Sequence, residues 1–351
     1  MSYEMNIRKV VPYTPGEQPA GKVIKLNTNE CPYPPSPRVM EAIRATGEEE
    51  LRKYPDPDCK ALISAIASYY RLSEDQVFVG VGSDDVLSMC FLTYFAGDKP
   101  ILFPDITYSF YDVWAEVYRI PYKRIPLKED FSVDAEDYRV ENGGIVLANP
   151  NAPTGIFTGL EDIERILSAS PDSVVIVDEA YIDFGGESAL TLLPRYENLV
   201  VTRTMSKSRA LAGLRVGYAF GSPKLIKYLS DVRFSVNSYT MNSPALRAGV
   251  AAIEDHDYFC EIRDKVVATR DRAERELREL GFSFQKSSTN FIFAEHKECP
   301  AEEIFQKLKE KNIYVRYFRK PRIDNYLRIS IGTEEEMDRL FEALREILSD
   351  R

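Results

Sequence analysis

Histidine is almost missing from this chain of 351 residues. The two present, His256 and His296, sit in Glu254-Asp255-His256-Asp257 and Ala294-Glu295-His296-Lys297, surroundings that read as solvated surface and make histidine-based catalysis an unexpected chemistry. Cysteine is sparse as well: Cys31, Cys59, Cys90, Cys260 and Cys299 are scattered, odd in number and never spaced C-x-x-C. That pattern argues against a disulfide framework and against a zinc site, and it suits a reducing, cytoplasmic setting. No apolar run approaches the roughly 20 residues of a membrane span, and the opening MSYEMNIRKVVPYTPGEQ has no apolar core of signal-peptide length, so neither export nor a membrane anchor is expected. Positive charge is also short, with 45 Lys+Arg against 55 Asp+Glu, a net −10, and no long basic cluster. A nucleic-acid backbone or an anionic membrane is therefore not the expected partner. Internal repeats and low-complexity tracts are missing too.

What remains is ordinary globular composition, 44% hydrophobic and 28% charged, long enough for about two domains at roughly 150 residues each. Short Val/Ile/Leu runs alternate with amphipathic stretches. Gln76–Val81, Ile101–Phe103, Ile145–Ala148, Val174–Val177 and Leu199–Val201 read as strands; Ser83–Phe95 and Leu160–Ser168 read as helices. Unbroken apolar strands separated by helices predict a mainly parallel sheet covered on both faces, an α/β fold. From about residue 245 the character changes. A charged amphipathic stretch over Ala245–Leu280 precedes alternating short strands and helices, ending in a helix over Glu334–Leu348, which predicts a smaller α+β domain. The expected division is an arm over 1–30, a large domain over 31–245 and a small domain over 246–351.

Ligands of open parallel sheets bind beyond the carboxyl ends of the strands, and four segments there carry polar residues. In Val79-Gly80-Val81-Gly82-Ser83-Asp84-Asp85 a strand enters a helix through small residues. Free N–H groups and the positive dipole end suit a phosphate, while Ser83 or Asp84 as a simple N-cap is the plainer alternative. A dinucleotide fingerprint would need glycine where Asp85 stands. In Leu147-Ala148-Asn149-Pro150-Asn151-Ala152-Pro153-Thr154-Gly155 a strand ends in turn formers with amide donors. Val174–Val177 delivers Asp178 at a strand end, where an acid needs a cation, a metal or a protonated ring nitrogen, or else a salt bridge to an arginine. In Thr204-Met205-Ser206-Lys207, with Arg215 eight positions on, Lys207 is an amine in partly buried, cationic company, the setting that makes lysine a nucleophile toward carbonyls.

A lysine, an acid for a pyridine nitrogen and an anion pocket are the parts that hold pyridoxal 5'-phosphate. Over essentially its whole length the chain resembles the fold type I, class II aminotransferases, and within them it is similar to the enzymes acting on histidinol phosphate. The likeness rests on an ordered set: Lys25-Leu26-Asn27-Thr28-Asn29-Glu30-Cys31-Pro32-Tyr33, Arg52-Lys53-Tyr54-Pro55-Asp56, Gly82-Ser83-Asp84-Asp85, Pro104-Asp105-Ile106-Thr107-Tyr108, Asp178-Glu179-Ala180-Tyr181 and Thr204-Met205-Ser206-Lys207. It implies a large domain with a seven-stranded type of sheet, a smaller α+β domain, and pyridoxal 5'-phosphate as cofactor.

By the same resemblance Lys207 carries the Schiff base and shuttles the proton, Asp178 keeps the pyridine nitrogen protonated, and Tyr181 donates to the cofactor's phenolic oxygen. Tyr108 stacks on the ring. Gly82, Ser83, Asp84, Thr204, Ser206 and Arg215 surround the phosphate, with Tyr54 arriving from the neighbouring subunit of a homodimer. One position departs from the pattern. Where the family's N-P-T-G loop has asparagine, this chain has Ala152, so either Asn151 takes over through a shifted backbone or Tyr181 holds the phenolic oxygen without an amide. Arg328, Arg316, Tyr13 and Asn29 match the substrate pocket, and two guanidiniums with a phenol suit a dianion. The implied reaction is transamination between L-histidinol phosphate, the amino donor, and 2-oxoglutarate. The alternatives are an aromatic amino acid aminotransferase, a phospho-amino-acid decarboxylase of the same fold or, from another class, a nicotinamide-dependent dehydrogenase.

Overall fold

The computed structural model describes residues 3–349. Its strands are β1 (Ile24–Lys25), β2 (Val77–Gly80), β3 (Ile101–Pro104), β4 (Tyr122–Ile125), β5 (Gly144–Ala148), β6 (Val175–Asp178), β7 (Leu199–Thr204), β8 (Gly217–Gly221), β9 (Phe282–Ser283), β10 (Phe291–His296), β11 (Ile313–Tyr314), β12 (Arg316–Tyr317) and β13 (Tyr326–Ser330). Seven of them form one sheet in the order β2-β8-β7-β6-β5-β3-β4. Only β8 runs against the others, antiparallel to both β7 and β2. The apolar runs explain why both faces are covered. Val175, Val177, Leu199 and Val201 face one core, shared with the helices Lys60–Tyr70, Leu160–Ala169 and Ser243–Glu254. Their alternates Ile176 and Val200 face another, shared with Gly82–Tyr94, Phe110–Tyr118 and Pro223–Val236. Each buried aliphatic side chain stabilises by about 1.5–3 kcal/mol, and a one-residue slip would exchange the two faces, so the register is tightly specified.

The second core gathers around an antiparallel sheet, β12-β13-β10-β9, backed by the helices His256–Glu279, Ala301–Glu310 and Glu334–Ser349. Two expectations about the boundaries change. The stretch 245–280 is two helices that meet at Asp255, and the first buries Ala245, Ala248, Ala252 and Ile253 in the large core. The division therefore falls near residue 255 rather than 245. The arm is also shorter than residue 30, because β1 pairs in parallel with β11 and places Ile24 and Leu26 in the small core. His296 is a further correction. It is buried, with Nε2 at 3.1 Å from the Leu280 carbonyl and Nδ1 accepting from the Cys299 N–H, so its charged neighbours misled about its setting. Among the described residues no helix is long and apolar enough to cross a membrane.

Candidate active site

The carboxyl ends of β3, β5, β6 and β7, at Pro104, Ala148, Asp178 and Thr204, all open on one cavity of about 1370 Å³. Chain order reverses between β3 and β5, since β4 lies on one side of β3 and β5 on the other. This is the crevice where open parallel sheets bind ligands. The small domain supplies the opposite wall through Arg316, Phe318 and Arg328, and residues 9–14 of the arm close one side.

Asp178 forms the floor. It is buried, and its two oxygens accept from Tyr111 Oη at 2.9 Å and Thr202 Oγ1 at 3.3 Å. It forms no ion pair among the described residues. Burial pushes its carboxyl up to about 6 against the pull of those two hydrogen bonds, so the floor holds an acid that lacks a cation. Burial, and then the charge of Asp178, raise Tyr111 well above the ordinary phenol range, which keeps it a donor. Tyr111 and Thr202 were missed by sequence reasoning. Tyr111 sits one turn after Tyr108, a usable signal, whereas Thr202 opposes Asp178 only through the β6–β7 register. The neighbouring Glu179 turns to the other side of the strand, where it takes the Ser188 hydroxyl, the Ala189 N–H and the Arg203 guanidinium. Asp183 joins that network, bonding both Arg203 and the hydroxyl of Ser208, the residue after Lys207. The two residues that face the ligand are thus held from behind by one buried ionic cluster.

Lys207 lines the cavity with Nζ 3.1 Å from the Thr28 carbonyl and 5.7 Å from the centre of the Tyr181 ring, and among the described residues it pairs with no carboxylate. Thr204, Ser206 and Arg215 follow along the wall, joined by Thr204 Oγ1–Ser206 Oγ at 2.9 Å and by Arg215 at 3.5 Å from Ser206 Oγ. The helix Gly82–Tyr94 begins beside them. Its N-cap is Val81, with no side-chain cap, so neither Ser83 nor Asp84 plays the plain capping role. Asp85 instead reaches back to the Val81 N–H, and Ser83 and Asp84 line the cavity at an open helix start. Gly82 has φ +82°, and a Cβ there would collide with Arg215. A Cβ at Gly217 would run into the Gly82–Ser83 backbone, so both glycines are needed for β8 to pass beneath the helix start. Asp84 is clamped by Tyr108 Oη at 2.7 Å and Arg215 at 3.0 Å.

On the opposite wall, Arg328 donates to the Asn27 carbonyl at 2.9 Å, and its Nε is buried with no partner. Arg316 reaches only the carbonyls of Pro15 and Thr14, at 3.4 and 3.3 Å. Neither forms an ion pair among the described residues. Burial first, and the charge of Arg316 as well, pull Arg328 below the ordinary guanidinium range. Tyr13 lines the same space, stacked on Phe110 at 4.1 Å between ring centres.

Three expected residues stand differently. Asn151 is not on the cavity wall: its amide donates to the Ile106 carbonyl and Thr154 Oγ1 and accepts from Thr107 Oγ1, which locks the loop. Its place on the wall is taken by Ala152, between Pro150 and Pro153. Asn29 does line the cavity, but its amide is committed at both ends, to Tyr181 Oη and Ser330 Oγ. Tyr54 lies away from the cavity of its own chain, 81% exposed and stacked on Tyr239 at 4.5 Å.

A seven-stranded, mostly parallel sheet with a small antiparallel companion domain, opening on a lysine and a buried acid, defines an aminotransferase of fold type I. The chain belongs to the aminotransferase class I and II family, whose model matches residues 21–344. It is 51% identical to the histidinol-phosphate aminotransferase of Clostridium acetobutylicum over 344 residues, 98% of each chain, and 54% identical to that of a Marinomonas species over 343 residues, 97% of each. A solved histidinol-phosphate aminotransferase from Sinorhizobium meliloti, in complex with pyridoxal-5'-phosphate, superposes with a TM-score of 0.86 at 26% identity, covering 93% of this chain and 91% of that one.

The residues present fit pyridoxal 5'-phosphate. An uncompensated buried carboxyl suits a protonated ring nitrogen, an unpaired lysine amine suits the carbonyl, and an uncapped helix start beside Arg215 suits the phosphate. Among the described residues no group of three or more side chains could hold a metal ion.

Proposed function

We propose that this chain catalyses pyridoxal-phosphate-dependent transamination between L-histidinol phosphate and 2-oxoglutarate. The observation that carries the reading is the pair of guanidiniums, Arg316 and Arg328, that face the same cavity as Lys207 without a carboxylate partner among the described residues. Buried or half-buried positive charge of that kind calls for an anion, and two forks with the Tyr13 phenol match a phosphate dianion better than a single carboxylate. A 2-oxo acid uses the same cations in the second half of the reaction.

The cofactor, when bound, supplies the electron-accepting ring that makes loss of the substrate's α-proton feasible. The chain's own groups do the rest. Lys207 Nζ would hold the carbonyl end and, once freed by the donor amine, would be the base placed to move a proton between the substrate α-carbon and the cofactor's carbonyl carbon. Asp178, held in place by Tyr111 and Thr202, would supply the negative charge for a protonated ring nitrogen. Tyr108 covers one side of the ring, and Tyr181 donates to the phenolic oxygen. Ser83, Asp84, Thr204, Ser206 and Arg215 cradle the phosphate, joined by Tyr54 from a second copy of the chain; an aromatic residue 81% exposed in one copy is well placed to serve another.

The aromatic lining by Tyr13, Tyr108 and Phe318 favours one second reading, an aromatic amino acid as donor. A panel of amines assayed for 2-oxoglutarate-dependent turnover and for carbon dioxide release tests both. Histidinol phosphate should give the highest kcat/KM. Faster turnover of phenylalanine moves the assignment to the aromatic reading, and carbon dioxide as the main product ends the aminotransferase claim.

A further inference from the structure

Tyr181 has a hydroxyl whose hydrogen-bonding roles can be worked out from its neighbours. The starting point is Ser330, on β13. Its oxygen accepts the backbone N–H of Asn29 at 2.9 Å, and its hydroxyl donates to Asn29 Oδ1, also at 2.9 Å. With Oδ1 taken by that proton, the amide NH₂ donates to Tyr181 Oη, 2.9 Å away. The phenol oxygen is therefore an acceptor toward Asn29, and its own proton is left over. No acceptor for that proton exists among the described residues, and Tyr181 lines the cavity beside Lys207.

We infer that Asn29 is a positioning residue that aims the Tyr181 proton at the cofactor's phenolic oxygen, replacing the amide that Ala152 cannot supply. This rests on the cofactor assignment proposed above. In pyridoxal phosphate the phenolic oxygen sits on the ring carbon next to the one bearing the carbonyl. With the carbonyl at Lys207 and the ring nitrogen at Asp178, that oxygen lies along one edge of the ring. Of the strand-end loop on the cavity wall, Ala152 offers only a methyl group, and Asn151 spends its amide on Ile106, Thr154 and Thr107. Tyr181 is then the side-chain donor that counts, and a donor with a free rotor is worth less than one whose direction is fixed.

The fixing is expensive in conformation, which marks it as specific. Asn29 has φ +56°, a left-handed backbone that asparagine tolerates better than most residues. The turn is closed by Asn290, which donates to the Asn29 carbonyl at 3.0 Å, and the side chain is 1% exposed. Ser330 also lies two residues after Arg328 on the same strand. The residue that fixes the Asn29 amide and the residue that faces the substrate side of the cavity therefore share one short element.

The test reads the pH midpoint of the visible absorbance change of the bound cofactor, in holoenzymes reconstituted with pyridoxal phosphate. A donor to the phenolic oxygen lowers that midpoint, because it weakens the oxygen's hold on the proton shared with the nitrogen at Lys207. Asn29→Ala should raise the midpoint by about one pH unit, the worth of one well-aimed hydrogen bond. Adding Ala152→Asn to Asn29→Ala should bring at least half of the shift back. In a Tyr181→Phe background, Asn29→Ala should move the midpoint no further. Ser330→Ala, which keeps the Asn290 bond to the turn but removes the acceptor of the Asn29 N–H and frees the amide to rotate, should give a smaller rise and stands in if Asn29→Ala fails to fold. An unmoved midpoint in Asn29→Ala, or a full extra shift on top of Tyr181→Phe, overturns the inference alone. A wild-type protein that develops no visible band overturns the cofactor assignment and this inference with it.

Discussion

The floor and the far wall of the cavity are built differently. On the floor, Asp178 sits at the end of a buried strand between two hydrogen-bond donors, and the loop carrying Lys207 is tied from behind by Arg203, Glu179, Asp183 and Ser208. On the far wall, Arg316 belongs to a strand of two residues and reaches only carbonyls of the arm, at 3.3 and 3.4 Å, while Arg328 makes one such contact and leaves Nε unpaired. The floor is finished before any ligand arrives, as chemistry at a fixed pair of atoms requires. The wall is unfinished, and its unspent donors await an anion. On the proposed reading, chemistry and choice of substrate would be carried by separate domains.

Substitutions on the floor should break turnover, and those on the wall should change what is turned over. The largest effect is expected for Lys207→Ala. Loss of both the anchoring amine and the proton shuttle should lower kcat by roughly 10⁴-fold or more, with the melting temperature nearly unchanged because Lys207 makes one backbone contact. Steady-state turnover and a thermal melt check this together, and ordinary activity in that variant would refute the assigned role. Asp178→Asn comes next. Removing one partner of a buried charge pair costs about 3–5 kcal/mol, so kcat should fall roughly 10²–10⁴-fold while the cofactor still binds. Loss of cofactor with an intact rate in the residual holoenzyme would reassign Asp178 to binding.

A smaller and more selective change is expected on the wall. Arg316→Ala removes one charge-assisted fork worth about 1.5–3 kcal/mol, which predicts a roughly 10–100-fold rise in KM for a phosphorylated donor. The same variant should leave KM for unphosphorylated amines almost alone. Equal losses for both kinds of donor would show that Arg316 shapes the cavity and does not read the phosphate.

The same contrast decides what could be read from the chain alone. Floor residues follow apolar strands, and Asp178, Thr204 and Lys207 stand where strand alternation and the strand-end rule put them. β4 escaped notice because Tyr122-Lys123-Arg124-Ile125 is an edge strand with exposed cations, and β8 because glycines at both ends imitate turns. An unbroken Val/Ile/Leu run leaves a sequence signal, and exposed cations or flanking glycines mask it. The ionic cluster behind Lys207 and the locking of Asn151 depend on residues far apart in sequence, so no local pattern announces them. Asn29 was readable as a pocket residue, but its commitment to Tyr181 and Ser330 required 152 and 301 residues of intervening chain to fold first.

The smallest effect concerns stability without cofactor, and it sharpens the claim that the floor lacks a cation. A carboxyl raised from 3.8 to about 6 in the folded state binds its proton more tightly there than in the unfolded chain. Its contribution to stability is full below about pH 4 and is lost as pH rises through 6, up to about 3 kcal/mol by the two-unit shift and less where cavity water reaches the group. Other carboxyls, such as Glu30, which is held down by Lys25 and Thr28 against its own burial, run the opposite way, so the wild-type curve alone mixes the two. The comparison that isolates Asp178 is apo Asp178→Asn against apo wild type. The variant should gain on the wild type by a few degrees in melting temperature between pH 4.5 and pH 7.5, and added cofactor should reverse the order at the higher pH by pairing the wild-type carboxylate. A difference that stays flat across that range would mean that Asp178 already has its counter-charge in the empty protein, and that the floor is no less self-contained in charge than it is in hydrogen bonding.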